Sequence, residues 1–382
     1  MKILTNVQTS YLAGIGQSFW SLLRGLEKDY PKRAQIVGVK ISSDPNVSEK
    51  GIYDNNKVKN FELASIDGEQ IPSFNEVIKR VSNINDLKNN FEELIYEYKK
   101  LITKHSPDLV LINGTYYAPW CLYQAVKGTK IPTILHYHGI LTKECSHYEP
   151  KLLDLVHKME TTFDNDRLFY IFPSELAKDT VEKEIFGHKI SRAAIIRNSI
   201  PRHFFDVKVT GSRKNVAFVG RWSAIKNPKF IKKIAKYNQK MNGDYQFNII
   251  SDKEKNAKKE LGDYFNKVRL HSPMDSRRLA NFYGKMGVVL SPSFFETYGN
   301  VAQEAIATGT PAIVGPNMGV SEVFRELGLS QWIVDFKSTK NVYNKIEDIS
   351  GQSVSDKVKK MLKYNLTSHA INQNLVRVFK SM

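Results

Sequence analysis

Short apolar runs alternate with amphipathic stretches along most of the chain. Runs at 2–6, 34–39, 109–112, 134–139, 168–172, 215–219, 247–250, 268–271, 288–290 and 312–314 are too short for helices and are closed by turn residues, so they predict buried strands. Between them, apolar residues at helical spacing predict helices. These cover about 17–28, a stripe of Leu87, Phe91, Leu94, Ile95, Tyr98, Leu101 and Ile102, a helix after Pro228, one through Leu279, Phe282 and Tyr283, and one at 300–308. Strand, loop, helix, strand is the parallel crossover unit of an α/β sheet. The stretch 41–84 resists this reading: Gly51, Asn55, Asn56, Gly68 and Pro72 predict only loops and short strands there.

The pattern is densest from Val288 to Glu322. A strand ends at Leu290, and Ser291, Pro292 and Ser293 break it. Val301, Ala302, Ala305 and Ile306 then mark a helix that Asn300 can cap and Gly309 can end, with Pro311 blocking continuation. Glu296 and Glu304 lie eight residues apart, about two turns if one helix covered both, so both can face one crevice. The N–H groups at the start of this helix would favour an anion such as a phosphate, and Gly299 lets the main chain approach it. Taken alone, such a pair of carboxylates is more often a solvated loop residue and an exposed helix residue.

At 382 residues the chain exceeds one ordinary domain, and 41% hydrophobic residues suffice for two cores. No run of 18 apolar residues predicts a membrane span, and MKILTNVQTS reads as a first strand rather than a secretory signal. Cys121 and Cys145, the only cysteines, exclude a disulfide framework and fit a reducing compartment. The formal charge of +17 is uneven: residues 1–205 hold 27 Lys and Arg against 24 Asp and Glu, net +3, while 206–382 hold 29 against 15, net +14. Such a half attracts nucleic acid, an anionic membrane surface or a polyphosphate-bearing substrate. Nucleic acid is the weakest of these, since no base-reading helix or stacking platform is visible. A plain solvated lysine face stays open, because Lys232, Lys233, Lys236 and Lys240 lie opposite Ile231, Ile234 and Ala235 on one helix.

The string FFETYGNVAQEAIATGTPAIV, with seven residues between Glu296 and Glu304, resembles the signature of the retaining GT-B glycosyltransferases, most closely glycosyltransferase family four, group 1. The resemblance continues through Gly319, Val320, Ser321 and Glu322, similar to the family's Gly-x-x-Glu. It implies that Glu296 contacts the donor sugar, that Glu304 binds the ribose, and that Gly299, Asn300 and Val301 adjoin the diphosphate. Arg221 and Lys226, after the strand at 215–219, resemble the family's diphosphate clamp, whose fixed cations stabilise the charge that grows on the leaving phosphate. Gly16, in the loop Tyr11-Leu12-Ala13-Gly14-Ile15-Gly16, resembles the first-domain glycine that approaches donor and acceptor. His138, directly before Gly139, resembles the histidine beside the anomeric carbon; His136 is the second choice, expected on the opposite side of its strand. Asp164-Asn165-Asp166 spells Asp-x-Asp but reads as a helix-to-strand turn, not a metal site. Asn198 looks like the family's turn before the linker, although Ser199 stands where glycine is usual.

The resemblance implies an α/β chain of GT-B type, two Rossmann-like doubly wound domains facing a central cleft. The expected parts are an acceptor-binding domain at 1–205, a nucleotide-sugar-binding domain at 206–365, and a tail helix at 366–382 crossing back to the first domain. The expected activity is metal-independent retaining transfer of a hexosyl-type sugar to an acceptor hydroxyl, in polysaccharide or glycolipid assembly, by front-face displacement. The expected donor is a nucleotide sugar, UDP-linked first, with no separate cofactor. The expected acceptor is a saccharide or lipid-linked molecule, with an anionic membrane surface as a further partner and no nucleic acid. The expected place is the cytoplasm, including the inner face of the membrane. The rivals are a nucleotide-sugar epimerase and a non-catalytic GT-B partner subunit; the latter predicts missing donor-site residues, yet Arg221, Lys226, Glu296 and Glu304 are all present.

Overall fold

The computed structural model describes residues 1–7, 14–29, 34–42, 60–262, 264 and 268–381. Tyr11, Leu12 and Ala13 of the first loop, and Gly51, Asn55 and Asn56, lie outside them. The chain forms two compact units, Met1–Arg197 with Ile371–Met382, and Asn198–Ala370.

The first unit holds seven parallel strands: β1 (Lys2–Asn6), β2 (Gln35–Ile41), β3 (Phe61–Ile66), β4 (Leu109–Asn113), β5 (Thr133–His136), β6 (Leu168–Phe172) and β7 (Ala193–Ile195). Their order is β3-β2-β1-β4-β5-β6-β7. Every residue of β4, LVLIN, is buried, as expected of a central strand covered on both faces. The strand β3 falls in the stretch read as loops and short strands, and the sequence did not place it because FELASI sits at the sheet edge, with only its end residues buried and Glu62 exposed. The apolar stripe at 87–102 is two helices, Ile84–Asn90 and Glu92–His105, broken at Phe91, whose ring is buried. The final helix Ser368–Ser381 buries Ile371, Leu375, Val376 and Phe379, and Asn372 Nδ2 donates to the Ser21 carbonyl at 3.1 Å. That contact needs a glycine at position 25, where a Cβ would stand 1.7 Å from Asn372 Nδ2.

The second unit holds five parallel strands: β8 (Asn215–Val219), β9 (Gln246–Ile250), β10 (Val268–His271), β11 (Val288–Ser291) and β12 (Ala312–Val314), in the order β10-β9-β8-β11-β12. In each unit the chain works outward from one strand in one direction, then returns to its other side. The strand order therefore reverses between β1 and β4, and again between β8 and β11. Ligands of open α/β sheets bind outside the carboxyl ends of the strands at such a reversal. Among the described residues no helix is long and apolar enough to cross a membrane.

Candidate active site

In the second unit the loops leaving β8 and β11 are laced together at the strand reversal. Phe294 N donates to the Ile225 carbonyl at 2.9 Å, and Asn227 Nδ2 donates to the Pro292 carbonyl at 3.1 Å. Asn227 takes the left-handed conformation (φ 52°) that ends the short turn Ala224–Lys226. Trp222 braces the other end of this loop, its main-chain N–H on Asp252 Oδ1 at 3.0 Å and its indole on Glu260 Oε2 at 2.7 Å.

These loops bring two of the expected residues into contact: Lys226 Nζ lies 2.9 Å from Glu296 Oε2. The side chains are only 23% and 16% exposed, so their attraction is less screened than in a surface pair. Ser293 Oγ donates to the other carboxylate oxygen at 2.5 Å. The main chain of Glu296 is also pinned, its N–H to the Asn317 carbonyl at 3.1 Å and its carbonyl to Gly319 N at 3.0 Å. Arg221 is exposed on the loop that carries Lys226.

The helix Asn300–Thr308 starts as the sequence predicts, but Gly299 occupies the capping position and Asn300 is the first helical residue. The Asn300 side chain is used elsewhere, accepting from Asn198 Nδ2 at 2.9 Å. Fully buried Gln303 continues this network, donating to the Asn198 carbonyl at 3.2 Å and accepting from the Tyr298 hydroxyl at 2.8 Å. Gly299 has φ 120°, and a Cβ there would stand 2.9 Å from both Met318 Cε and Val320 Cγ1. Glycine therefore fixes how the chain enters the helix, whose first N–H groups, at Asn300 and Val301, lack partners within the helix. Gly309, left-handed at φ 98°, ends it.

Glu304 lies in the second turn of this helix. Burial pushes its carboxyl up to about 8; the nearby Tyr283 hydroxyl pulls the other way and is outweighed. At the edge of the sheet, two strands from β8, β10 ends in His271, whose Nε2 lies 3.2 Å from Asn248 Oδ1; burial lowers its pKa.

In the first unit, Asn6 and Asn113 close β1 and β4, and the Asn6 side chain binds both main-chain groups of Asn113. Asn6 Nδ2 donates to the Asn113 carbonyl at 3.0 Å, and Asn113 N donates to Asn6 Oδ1 at 2.8 Å. His138 Nε2 is hydrogen-bonded to Asn113 Oδ1, which can only accept, so with this amide orientation Nε2 carries the ring proton. Burial lowers the His138 pKa to about 4, so the ring is neutral at ordinary pH. Two sequence expectations change here. The strand β5 stops at His136, so His138 belongs to the following loop. The rings of His136 and His138 are also neighbours, 4.2 Å between centroids, rather than on opposite sides, since residues two apart share a face. His136 is buried, and neither ring nitrogen has a hydrogen-bond partner among the described residues. Gly16 is buried in the first turn of the helix Gly14–Asp29.

The loop after His138 is held by Glu160, which is fully buried. It accepts Leu141 N at 2.6 Å, Thr142 N at 2.8 Å and Thr142 Oγ1 at 2.5 Å. Asp164 lies in the turn before β6 and pairs with His188 Nε2 at 2.7 Å. Sequence reasoning passed over Asn6, Asn113, Ser293 and Glu160. An asparagine closing each of two apolar strands was a usable signal for the first two; the others depend on tertiary placement.

The family described as "Glycosyl transferases group 1" matches residues 199–367, nearly all of the second unit. The chain is 28% identical over 140 residues to an uncharacterized 41.2 kDa protein in the cps region of Klebsiella pneumoniae, covering 35% of this chain and 36% of that protein. It is 39% identical over 59 residues to the D-inositol 3-phosphate glycosyltransferase of Streptomyces griseus, covering 15% and 12%. The chain thus spans about a third or less of these curated relatives. Among solved structures it resembles sucrose-phosphate synthase from Thermosynechococcus elongatus, with TM-score 0.74, 14% identity, and 100% and 98% of the two chains covered. It also resembles HepE of Anabaena in complex with UDP and glucose, with TM-score 0.71, 16% identity and complete coverage of both. The two parallel-sheet units have the GT-B fold of these neighbours, and with the group 1 match over the second unit they support a GT-B glycosyltransferase.

Proposed function

We propose that the chain is a retaining glycosyltransferase of family four that moves a hexosyl group from a nucleotide sugar to a saccharide or lipid-linked hydroxyl without a metal ion. The observation that carries this reading is the pairing of Lys226 with Glu296 at the strand reversal of the second unit, on loops bonded to each other. The start of the helix Asn300–Thr308 offers N–H groups and the positive dipole end to a phosphate. In the proposed mechanism Arg221, Lys226 and the N–H groups of Asn300 and Val301 hold the donor diphosphate, with Gly299 and Gly16 giving the main chain close approach. Glu304 holds the ribose hydroxyls, and Glu296 the sugar hydroxyls.

With the diphosphate bound, Lys226 interacts with both phosphate and Glu296. As the glycosidic bond lengthens, charge accumulates on the leaving phosphate, and the two cations and the helix dipole stabilise it. These cations supply the charge that a metal supplies in other transferases. Both Glu296 oxygens already have partners, Lys226 and Ser293, which disfavours it as a nucleophile and favours front-face displacement. A glycosyl adduct trapped on Glu296 would overturn that step. His138, neutral at working pH, is assigned a hydrogen bond to the donated sugar. A UDP-linked donor is the first choice because HepE, similar in fold, was solved with UDP and glucose.

A thermal-shift panel of UDP, GDP and ADP with their sugars tests the donor assignment. A ligand at a hundred times its Kd adds about 2.7 kcal/mol of stability. The expected result is a clear shift with one nucleotide, cut by about half or more in the Lys226→Ala and Glu304→Gln proteins. No shift with any nucleotide sinks the assignment.

A further inference from the structure

The helix Lys229–Lys240 of the second unit carries five lysines and no acidic residue. Phe230, Ile231, Ile234 and Ala235 are buried, while Lys229, Lys233, Lys236 and Lys240 are exposed. Their spacing of four, three and four residues aligns them along one side of the helix, a line of about 17 Å at 1.5 Å per residue. On other surface helices a lysine meets an acid one turn away: Lys158 with Asp154 at 2.7 Å, Lys183 with Asp179 at 2.6 Å, Lys258 with Glu254 at 2.8 Å. Here, among the described residues, none of the four ammonium groups has a carboxylate partner, and Lys236 lies over the Tyr264 ring at 5.1 Å. The adjoining helix Glu254–Leu261, tied on by Lys232 Nζ to the Glu260 carbonyl at 2.8 Å, adds exposed Lys255 and Lys259 one turn apart. Met241, just past the end of the lysine line, is 53% exposed.

Like charges one turn apart destabilise a helix, so the line carries a self-repulsion that an anionic surface relieves. The chemistry of the line narrows the kind of surface. The helix contains no arginine, whose planar fork suits nucleic-acid phosphates and bases, and its two rings are not stacking platforms: Phe230 is buried and Tyr237 packs on Tyr343. Strongly hydrated ammonium groups on flexible stems in a straight row, with an exposed apolar side chain at one end, suit a plane of lipid phosphates. We propose that Lys229, Lys233, Lys236 and Lys240 form a docking face for an anionic lipid bilayer. This stands independently of the reaction assigned to the chain.

The test is co-sedimentation of the full chain with phosphatidylcholine vesicles containing 30% phosphatidylglycerol, at 0.1 M and 0.5 M NaCl, beside pure phosphatidylcholine vesicles. Each lysine at an anionic surface contributes about fivefold in affinity, so replacing all four by Gln is expected to weaken binding at least about a hundredfold. High salt should do the same, and pure phosphatidylcholine should not bind. A control protein loses four exposed lysines of the first unit, Lys88→Gln, Lys99→Gln, Lys104→Gln and Lys130→Gln, and keeps its binding. All eight positions are exposed, so both proteins are expected to unfold at the wild-type temperature. The proposal fails if the wild type ignores anionic vesicles at 0.1 M NaCl, or if the helix variant binds like the wild type. It also fails if the control loses as much, or if a 20-nucleotide single strand at equal phosphate concentration displaces the vesicles.

Discussion

Replacing Glu304 by Gln should stabilise the empty protein and weaken nucleotide binding, and both effects follow from the same carboxyl. Burial raises its pKa from an ordinary 4.5 to about 8. The sign is fixed by proton counting. Between these pH values the unfolded chain has lost the proton that the folded chain keeps, so stability falls as pH rises, beginning near 4.5 and complete above 8. At 1.36 kcal/mol per pH unit the ceiling is about 5 kcal/mol, and solvent contact at this half-buried position lowers it to about 3. The amide that replaces the carboxyl does not titrate. Urea unfolding of the two proteins at pH 5, 7 and 9 should therefore give a difference near zero at pH 5 that grows to about 3 kcal/mol in favour of Glu304→Gln at pH 9. The nucleotide responds oppositely at pH 9, where the carboxyl is ionised: losing hydrogen bonds from a ribose diol to a charged group costs roughly 1.5–3 kcal/mol, about ten- to a hundredfold in Kd. A stability difference that stays flat across pH refutes the burial argument, and unchanged nucleotide affinity refutes the ribose role.

Removing Lys226 or Arg221 should lower kcat about a hundredfold or more, as loss of a preorganised charge-stabilising group does elsewhere. A Lys226→Ala protein with wild-type kcat excludes the clamp. Gly299→Ala places a Cβ against Met318 and Val320 at φ 120°, and should cost about 2 kcal/mol in denaturant unfolding along with weaker diphosphate binding. Glu160→Ala leaves the N–H groups of Leu141 and Thr142 without their acceptor, and should destabilise the first unit by on the order of 3 kcal/mol, measured by unfolding midpoints. Transfer should survive exhaustive dialysis against EDTA; loss of activity restored by a divalent ion would return attention to Asp164 and Asp166.

What could be read in advance follows from how local each signal is. β4 and β11 are apolar runs whose residues are all buried, and the helix Asn300–Thr308 is bounded by Gly299 and Gly309, so their positions were visible in the sequence. The edge strand β3 and the break at Phe91 were not, because partial burial at a sheet edge and a buried ring between two helices are decided by neighbours far along the chain. The same division holds at the candidate site. Glu296 and Glu304 stood out by spacing. Their surroundings, a lysine and a serine on one carboxylate and a buried phenol beside the other, exist only once loops from different strands meet.

The first unit draws Ile371–Met382 from beyond the whole of the second, with Asn372 seated over Gly25. During synthesis its early part must therefore wait while Asn198–Ala370 is translated, roughly ten to thirty seconds at ribosomal speeds. Throughout that delay the groove over the helix Gly14–Asp29 is unfilled. Nascent chains stalled before residue 371 should be the species that chaperones retain and proteases cut.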